Sequence, residues 1–520
     1  MNSEVLSYLR EKGILLEKEI FDLVSNIADT NEAKNLIAQL EQSAGQKIIT
    51  KSNLTKNISH QSISKLPGTD KSLVESVFVK LGINIEVKRE TKIQQTPEIV
   101  KKNSQNYRLF YANTKADKKL EVADFVGNFR SRYQMLQRIL MNRPALKNLI
   151  ALNKVSSDRQ LFSFIGMVTE KRMTKNKNLI IKFEDLTGTI NGLVKVDNAE
   201  LFAIANELQL DDVVGVRASG NKDLTFIHDI FFPDSFINEK VKFNEEVCVA
   251  FLSDVHAGSD RHLESSFNNF LNWINSGDEL AKKVKYVFFT GDNVDGVGIF
   301  PGQEKLLKLG SMKEQYALLA SYIRRIPKDI TIFMCPGQHD ASRVAEPQPI
   351  IDKNYAPELY GFDNLVLVTN PCLVKILEGD KEFKVLMYHG ASIHAFINEI
   401  QELREIKAHR TPAKAVRHML KRRHLAPTHG EVTYIPNKES DSLVIQEVPD
   451  VLCTGEVHRL DIESYNGVLI ITGSCWQAQT PFEEKVGNIP DPAKVPILNL
   501  KTRELKVLDF GDEEEIKNAG

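Results

Sequence analysis

Residues 247–260 read VCVAFLSDVHAGSD. Six apolar residues, Val247 to Leu252, run without alternation, and Asp254 and His256 follow directly. Such a run is too short for an isolated helix and too continuous for a half-exposed strand. It reads as a strand buried on both faces of an α/β sheet. The pattern recurs downstream in YVFFTGD (286–292), ITIFMCPG (330–337), FKVLMYHG (383–390) and VLIITG (468–473). Helix-like stretches separate these runs, so the region from 245 onward is read as α/β.

Polar groups collect where these runs end. Asp254 and His256 follow the first, Asp292 with Asn293 and Asp295 the second, and Gln338, His339 and Asp340 the third. His389 ends the fourth, and DVLCTGEVHRL (450–460) adds Glu456 and His458. Ligand sites of α/β sheets lie at the carboxyl ends of strands. Asp254 and His256 are two apart on extended chain and can face one side. Carboxylate with imidazole, repeated, is a metal environment suited to Mn²⁺, Fe²⁺ or Zn²⁺. Any one of these motifs alone fits a turn or a core histidine; five in one half of the chain point to a centre. Ten of the twelve histidines lie between His256 and His458.

Upstream, the pattern changes twice. LFSFIGMVTEKRM, NLIIKFEDLTGTINGLVKV and DDVVGVRASGNKDLTFIHDIFF are rich in β-branched and aromatic residues divided by turns, with one helical piece, NAELFAIANELQ. Strands, a helix, then strands over 156–236 predict a five-stranded barrel of the oligonucleotide-binding type. Residues 119–155 read as a helical segment and 89–118 as a polar flexible linker. Residues 1–88 form a small N-terminal helical domain, from apolar spacing in VLSYLREKGILL, KEIFDLVSNI and NEAKNLIAQLEQ. The α/β domain takes 245–510 and an acidic tail 511–520. Only FPDSFINEKVKF (232–243) separates barrel from α/β domain, so the two are expected to pack as one body.

Composition sets limits on partners. The chain has 520 residues, enough for about three domains at roughly 150 residues each. Lys plus Arg is 67 and Asp plus Glu is 69, so any nucleic-acid contact must come from a local patch. One candidate is 402–424, ELREIKAHRTPAKAVRHMLKRRH, with eight Lys or Arg against two Glu. Arg404, Lys407, Lys414, Arg417, Lys421 and Arg422 are expected to share part of a helical surface and grip DNA phosphates. The five cysteines, Cys248, Cys335, Cys372, Cys453 and Cys475, are widely spaced within or beside apolar runs and read as buried free thiols. No apolar stretch approaches a membrane span, and the N-terminus lacks a signal-peptide core. The expected location is cytoplasmic, with the nucleoid.

The ordered set D-x-H, G-D, G-Q-H-D, H, G-E-x-H resembles the calcineurin-like metallophosphoesterases. SDVHAGS, GDNVDGVGIFPGQ, PGQHDASRVAEPQP, RRHLAPTHG, SCWQAQTPFEEK and PDPAKVPILNL resemble, more narrowly, the small-subunit family of archaeal family-D DNA polymerases, which belongs with the polymerase B-subunits. The resemblance implies a four-layer α-β-β-α phosphoesterase domain behind an OB-fold barrel. It implies a two-metal 3′-5′ exonuclease that proofreads beside a large catalytic polymerase subunit. Two divalent cations follow, Mn²⁺ first, with Mg²⁺, Fe²⁺ or Zn²⁺ as alternatives. Carried over by motif, Asp254, His256 and His458 hold one cation, Asp292 bridges, and His389 with Gln338 and Glu456 holds the other. His339 is the acid at the leaving oxygen. The implied partners are the large subunit and DNA, as single-stranded 3′ ends and primer-template, with the sliding clamp as a further candidate. Two positions depart from the pattern: Gln338 stands where the family has Asn, and Glu456 where it has His. The alternative implied by those departures is a scaffold subunit with little or no catalysis.

Overall fold

The computed structural model describes residues 3–25, 30–44, 47–50, 106–116 and 119–519. These fall into two compact units, the first before residue 51 together with Ile150–Val155, the second from residue 106 without that hexapeptide. The expectations for 51–88 and for 89–105 lie outside the described residues.

In the first unit, helices Ser3–Lys12, Lys18–Ser25 and Thr30–Ala44 form where apolar residues recur at three and four. Val5 and Leu9, Ile20 and Val24, and Leu36 and Leu40 fill one core. Two short parallel strands, β1 (Leu15–Leu16) and β2 (Ile48–Ile49), join its ends.

The second unit opens with a departure from expectation. Residues 107–111, YRLFY, are not linker but a strand, β3 (Tyr107–Tyr111). It pairs antiparallel with residues 372–376, and the Tyr107 ring packs edge-on against Phe333 at 5.0 Å. An edge strand needs only one apolar face and one paired side, so its sequence is short and mixed. The helix Val122–Met141 follows as predicted, its Asp124 and Glu121 closing a capping box.

Strands β4 (Gln160–Met173), β5 (Leu179–Glu184), β6 (Thr189–Val194), β7 (Val213–Gly220) and β8 (Thr225–Phe231) close into a barrel of order β4-β5-β6-β8-β7. The helix Ala199–Glu207 connects β6 to β7, with the Asn198 side chain accepting from Leu201 N. Phe162, Phe164, Ile181, Phe183, Val194 and Val216 are buried by period-two alternation.

Two six-stranded mixed sheets follow. One has the order β12 (Leu365–Leu367), β11 (Thr331–Cys335), β10 (Val284–Thr290), β9 (Cys248–Leu252), β18 (Lys494–Asn499), β19 (Leu505–Asp509). The other runs β16 (Asp461–Tyr465), β17 (Val468–Thr472), β15 (Val451–Thr454), β14 (Lys381–Met387), β13 (Cys372–Glu378), β3. Val249 and Phe251 of β9 pack in one core with Val374, Val385 and Met387 of the facing sheet. Ala250 and Leu252 turn the other way, toward Phe267, Tyr316 and Leu319 of helices Glu264–Ile274 and Met312–Ile323. On the far side, Leu386, Leu452 and Ile470 meet Phe396, Val416 and Met419 from helices Ile393–Glu399 and Ala413–Arg422. The layers are therefore helix, sheet, sheet, helix, and strands covered on both faces explain the continuous apolar runs. All five cysteines are free and buried.

The C-terminal segment is also not a loose acidic tail. Helix Glu513–Ala519 brings the Glu515 carboxylate onto Ser265 N and Ser266 N, at 2.7 and 2.8 Å. An acid there satisfies donors at the start of helix Glu264–Ile274 and meets its dipole favourably.

Candidate metal centre

The residues predicted at strand ends do converge. Asp254 follows β9, Asp292 follows β10, Gln338 and His339 follow β11, His389 follows β14, and Glu456 and His458 follow β15. Asp254, His256 and His458 place ligand atoms within 4.8 Å of one another, and so do Asp254, Asp292 and His389. Asp292 Oδ2 lies 4.0 Å from His256 Nε2 and 3.2 Å from His389 Nε2, so it stands between the groups. Glu456 Oε2 lies 3.4 Å from His389 Nε2 and accepts a 2.7 Å hydrogen bond from Gln338 Nε2.

Local backbone geometry makes this convergence possible. Asp254, His256, Asp292, Glu456 and His458 all have φ between 46° and 72°. Left-handed backbone at non-glycine residues costs on the order of 1 kcal/mol or more each and clusters at functional sites. Backbone hydrogen bonds hold it here: Asp254 N donates to Gly291 O and His256 N to Asp292 O, both at 3.0 Å. Gly337 lets the loop after β11 come close; a Cβ there would stand 2.2 Å from Asp292 Oδ1.

The imidazoles are oriented from behind. His256 Nδ1 meets Asp295 Oδ1 at 3.1 Å, His458 Nδ1 meets Glu483 Oε1 at 3.0 Å, and His389 Nδ1 meets Thr290 O at 2.8 Å. Each of these oxygens accepts from Nδ1–H, which leaves Nε2 as the inward atom. This is the tautomer a metal-binding histidine needs. His256 Nε2 and His458 Nε2 face each other at 3.0 Å. Asp254 Oδ2 and Gln338 Oε1 are buried and have no hydrogen-bond partner among the described residues. Buried polar atoms are rarely left so. Converging lone pairs and orphaned acceptors fit divalent cations. The third cluster, His256, Asp295 and His339, is different, because Asp295 Oδ1 is already spent on His256 Nδ1.

The field at the centre favours positive charge on its imidazoles. Burial works against charge on Asp292, but His389 and His339 beside it hold its carboxyl well below the usual range. Burial opposes the charged form of His458 too, yet Glu483 and Asp254 carry it to about 9. His339 is held above its ordinary value against burial, chiefly by Asp292. Its Nδ1 bonds Asp295 O at 2.6 Å and its Nε2 sits 3.9 Å from Asp292 Oδ2.

Asp295 and Glu483 orient His256 and His458; Asp295 stands in the group after the second apolar run without a predicted role, and Glu483 follows no such run. Glu483 was legible only as the last residue of a T-x-x-E capping box with Thr480. Gln477 and Gln303 in turn fix Asp295, at 3.0 and 2.8–3.3 Å.

The predicted basic surface is corrected in part. Arg404 and Lys407 are exposed and Lys414 half-buried, but Arg422 is 2% exposed. Arg422 Nε bonds Asp212 Oδ1 at 3.0 Å, and its Nη1 lies 3.3 Å from Glu207 Oε1. Lys421 reaches Glu207 at 2.6 Å, and Arg417 lies 3.4 Å from Glu463. The helix Ala413–Arg422 turns Lys421 and Arg422 to the barrel, whose Glu207 and Asp212 neutralise them. These contacts also tie barrel to sheets, as the short connection predicts.

Residues 249–460 match the B-subunit family of DNA polymerases alpha and epsilon. The DNA polymerase II small subunit of Methanothermobacter thermautotrophicus is 40% identical over 397 residues, covering 75% of this chain and 80% of that one. The Thermoplasma acidophilum small subunit is 32% identical over 458 residues, 87% and 90% of the two chains. That of Pyrococcus furiosus is 35% identical over 401 residues, which span 75% of this chain and 64% of the relative. Among the described residues, no helix is long and apolar enough to cross a membrane.

Proposed function

Because the chain belongs to the family of archaeal DNA polymerase II small subunits, we propose that it is the proofreading nuclease of a two-subunit polymerase. It hydrolyses the terminal phosphodiester at DNA 3′ ends, in the 3′-5′ direction. The observation that carries this reading is the set of three imidazoles whose Nδ1 atoms are bound outward and whose Nε2 atoms converge on Asp254 and Asp292.

Asp254, His256 and His458 would hold one divalent cation. Asp292 would serve both, and His389 with Gln338 and Glu456 would hold the second. Carboxylate and amide oxygens beside imidazoles favour Mn²⁺, with Mg²⁺, Fe²⁺ and Zn²⁺ as alternatives. Bound there, the cations supply Lewis acidity to the phosphate and make a water easier to deprotonate. His339 holds a proton at Nε2 beside Asp292 and gives it to the departing 3′-oxygen. A positioned acid of this kind contributes about 10²–10⁴-fold. Asp295 and Glu483 fix the planes of His256 and His458.

The domain reading goes with this function. Residues 156–236 act as the oligonucleotide-binding barrel and 245–510 as the phosphoesterase domain. The large catalytic subunit and DNA are the partners, with the sliding clamp a further candidate.

A scaffold is the second reading. It is favoured by the Gln338–Glu456 hydrogen bond, which satisfies with protein two positions where the family pattern has Asn and His. The test is release of mononucleotides from single-stranded DNA by the full chain with Mn²⁺. Metal-dependent release that disappears in Asp292→Ala supports the nuclease. No release from the wild type, with DNA and the large subunit still held, leaves the scaffold.

A further inference from the structure

A cavity of about 700 Å³ opens beside the metal centre, within the roughly 300–1,000 Å³ range of small-ligand sites. His339 and Gln338 form its inner wall, and none of Asp254, His256, Asp292, His389 and His458 lines it. The cavity therefore lies on the His339 side of the centre. Its outer surfaces include Val297, Val344 and Tyr355, which are 44%, 58% and 50% exposed. Apolar side chains this exposed beside a hydrolytic site indicate a ligand with an apolar face.

The lining carries both signs, Arg343 and Lys353 with Asp340 and Asp352, and the carboxylate oxygens are engaged by donors of the protein. Asp340 accepts from Tyr316 OH, Gly337 N and Asn293 N, and Asp352 accepts from Asn354 N. Arg343 is held against its own loop by Ala345 O and Pro347 O, and the Lys353 ammonium lies 5.6 Å over the Tyr360 ring. Aromatic and aliphatic faces with fixed cations suit a base on a phosphate chain.

We infer that this cavity is the subsite for the nucleoside whose 3′-oxygen departs, the penultimate residue of the strand. The inference rests on the nuclease reading above. If His339 protonates the leaving oxygen, the nucleoside bearing that oxygen must extend on the His339 side, away from the cations. The cavity is the space there. Tyr355 supplies the stacking surface, and Arg343 and Lys353 flank the phosphates upstream. Stacking on a ring reads no base edge, so the subsite accepts all four bases.

The test uses the full chain with Mn²⁺ and a single-stranded oligonucleotide whose terminal linkage is a phosphorothioate, to slow hydrolysis. With 2-aminopurine at the penultimate position, its fluorescence falls on binding. Tyr355→Ala removes that quenching and weakens binding by about 5- to 100-fold. Tyr355→Phe, which keeps the ring, restores both. With an abasic penultimate residue, Tyr355→Ala has no effect. Quenching confined to a terminal 2-aminopurine, or an equal Tyr355→Ala loss on the abasic strand, overturns the assignment. Hydrolysis of the unmodified oligonucleotide is measured in parallel. Base-dependent binding without hydrolysis would overturn the nuclease and leave the cavity as a site for a nucleoside of the strand; hydrolysis without it would overturn the subsite alone.

Discussion

Gln338 Nε2 donates to Glu456 Oε2 across 2.7 Å, so the two departures from the family pattern touch each other. Glu456 Oε2 is also 3.4 Å from His389 Nε2, while Gln338 Oε1 is buried with no hydrogen-bond partner among the described residues. The longer amide of Gln338 supports the added carboxylate with its NH₂ and keeps its oxygen for the centre. On the nuclease reading the pair is a coordinated exchange of ligands on one side of the site, with Asp254, His256 and His458 left intact; on the scaffold reading the same bond closes that side.

Glu456→Ala is expected to weaken one cation of the pair and spare the other, because the Glu456 carboxylate lies beside His389 and Gln338, while its backbone N, which donates to Asp254 Oδ1, is kept in the variant. The double variant Glu456→His with Gln338→Asn restores the family pattern and should raise the Mn²⁺-dependent rate of nucleotide release. A rate that stays at zero in both wild type and double variant would favour the scaffold.

His339→Ala should keep the cations and lose about 10²–10⁴-fold in rate, since its side chain is assigned to proton donation. Metal content and turnover measured on one preparation check this. Loss of metal together with rate would make His339 a ligand.

Two groups of basic residues should behave differently. Arg404→Gln with Lys407→Gln removes exposed charge, and should flatten the salt dependence of single-stranded DNA binding by about 0.7 for each phosphate no longer neutralised. Arg422→Gln should leave that slope alone and lower stability by about 3–5 kcal/mol, the usual cost of breaking a buried pair. Binding against salt and thermal unfolding separate the two. An unchanged slope in the Arg404 and Lys407 variant would show that this face does not touch DNA.

What was legible follows from what each element buries. The strands β9, β10, β11 and β14 were readable because both faces are covered, which forces continuous apolar runs, and polar site residues follow each; β17 was readable from its apolar run alone. The barrel was readable from alternation and turns. β3 was not, because YRLFY is an edge strand amid polar residues, and only its pairing with Cys372–Glu378 reveals it. The 402–424 stretch was half-legible. Its charge count was plain, but Glu207 and Asp212, some 200 residues away, decide which cations face inward. Glu483 and the role of Asp295 escaped for the same reason: orienting a histidine is a relation in space that leaves no local spacing.

Stability should fall as pH drops from about 6.5 to 4. Burial pushes His418 and His424 down to about 4, and both are neutral in the fold. Unfolded histidine titrates near 6.5, so between those values the unfolded chain binds more protons. The stabilisation is whole above about 6.5 and is lost as pH falls toward 4, on the order of 3 kcal/mol for each residue at most. Unfolding midpoints from pH 7.5 to 4.5 measure it. His424→Gln should flatten the curve even though it loses the bond to Asp441; an unaltered curve would contradict the assignment.

The central claim is that the centre still holds a pair of divalent cations despite Gln338 and Glu456. Equilibrium titration of Mn²⁺ into the full chain, with free Mn²⁺ read by electron paramagnetic resonance, tests it most directly. The prediction is two ions bound per wild-type chain and loss of both in Asp292→Ala, whose carboxylate lies between the two ligand groups. A wild-type chain that binds no Mn²⁺ at millimolar concentration, or binding unaltered by Asp292→Ala, would contradict it.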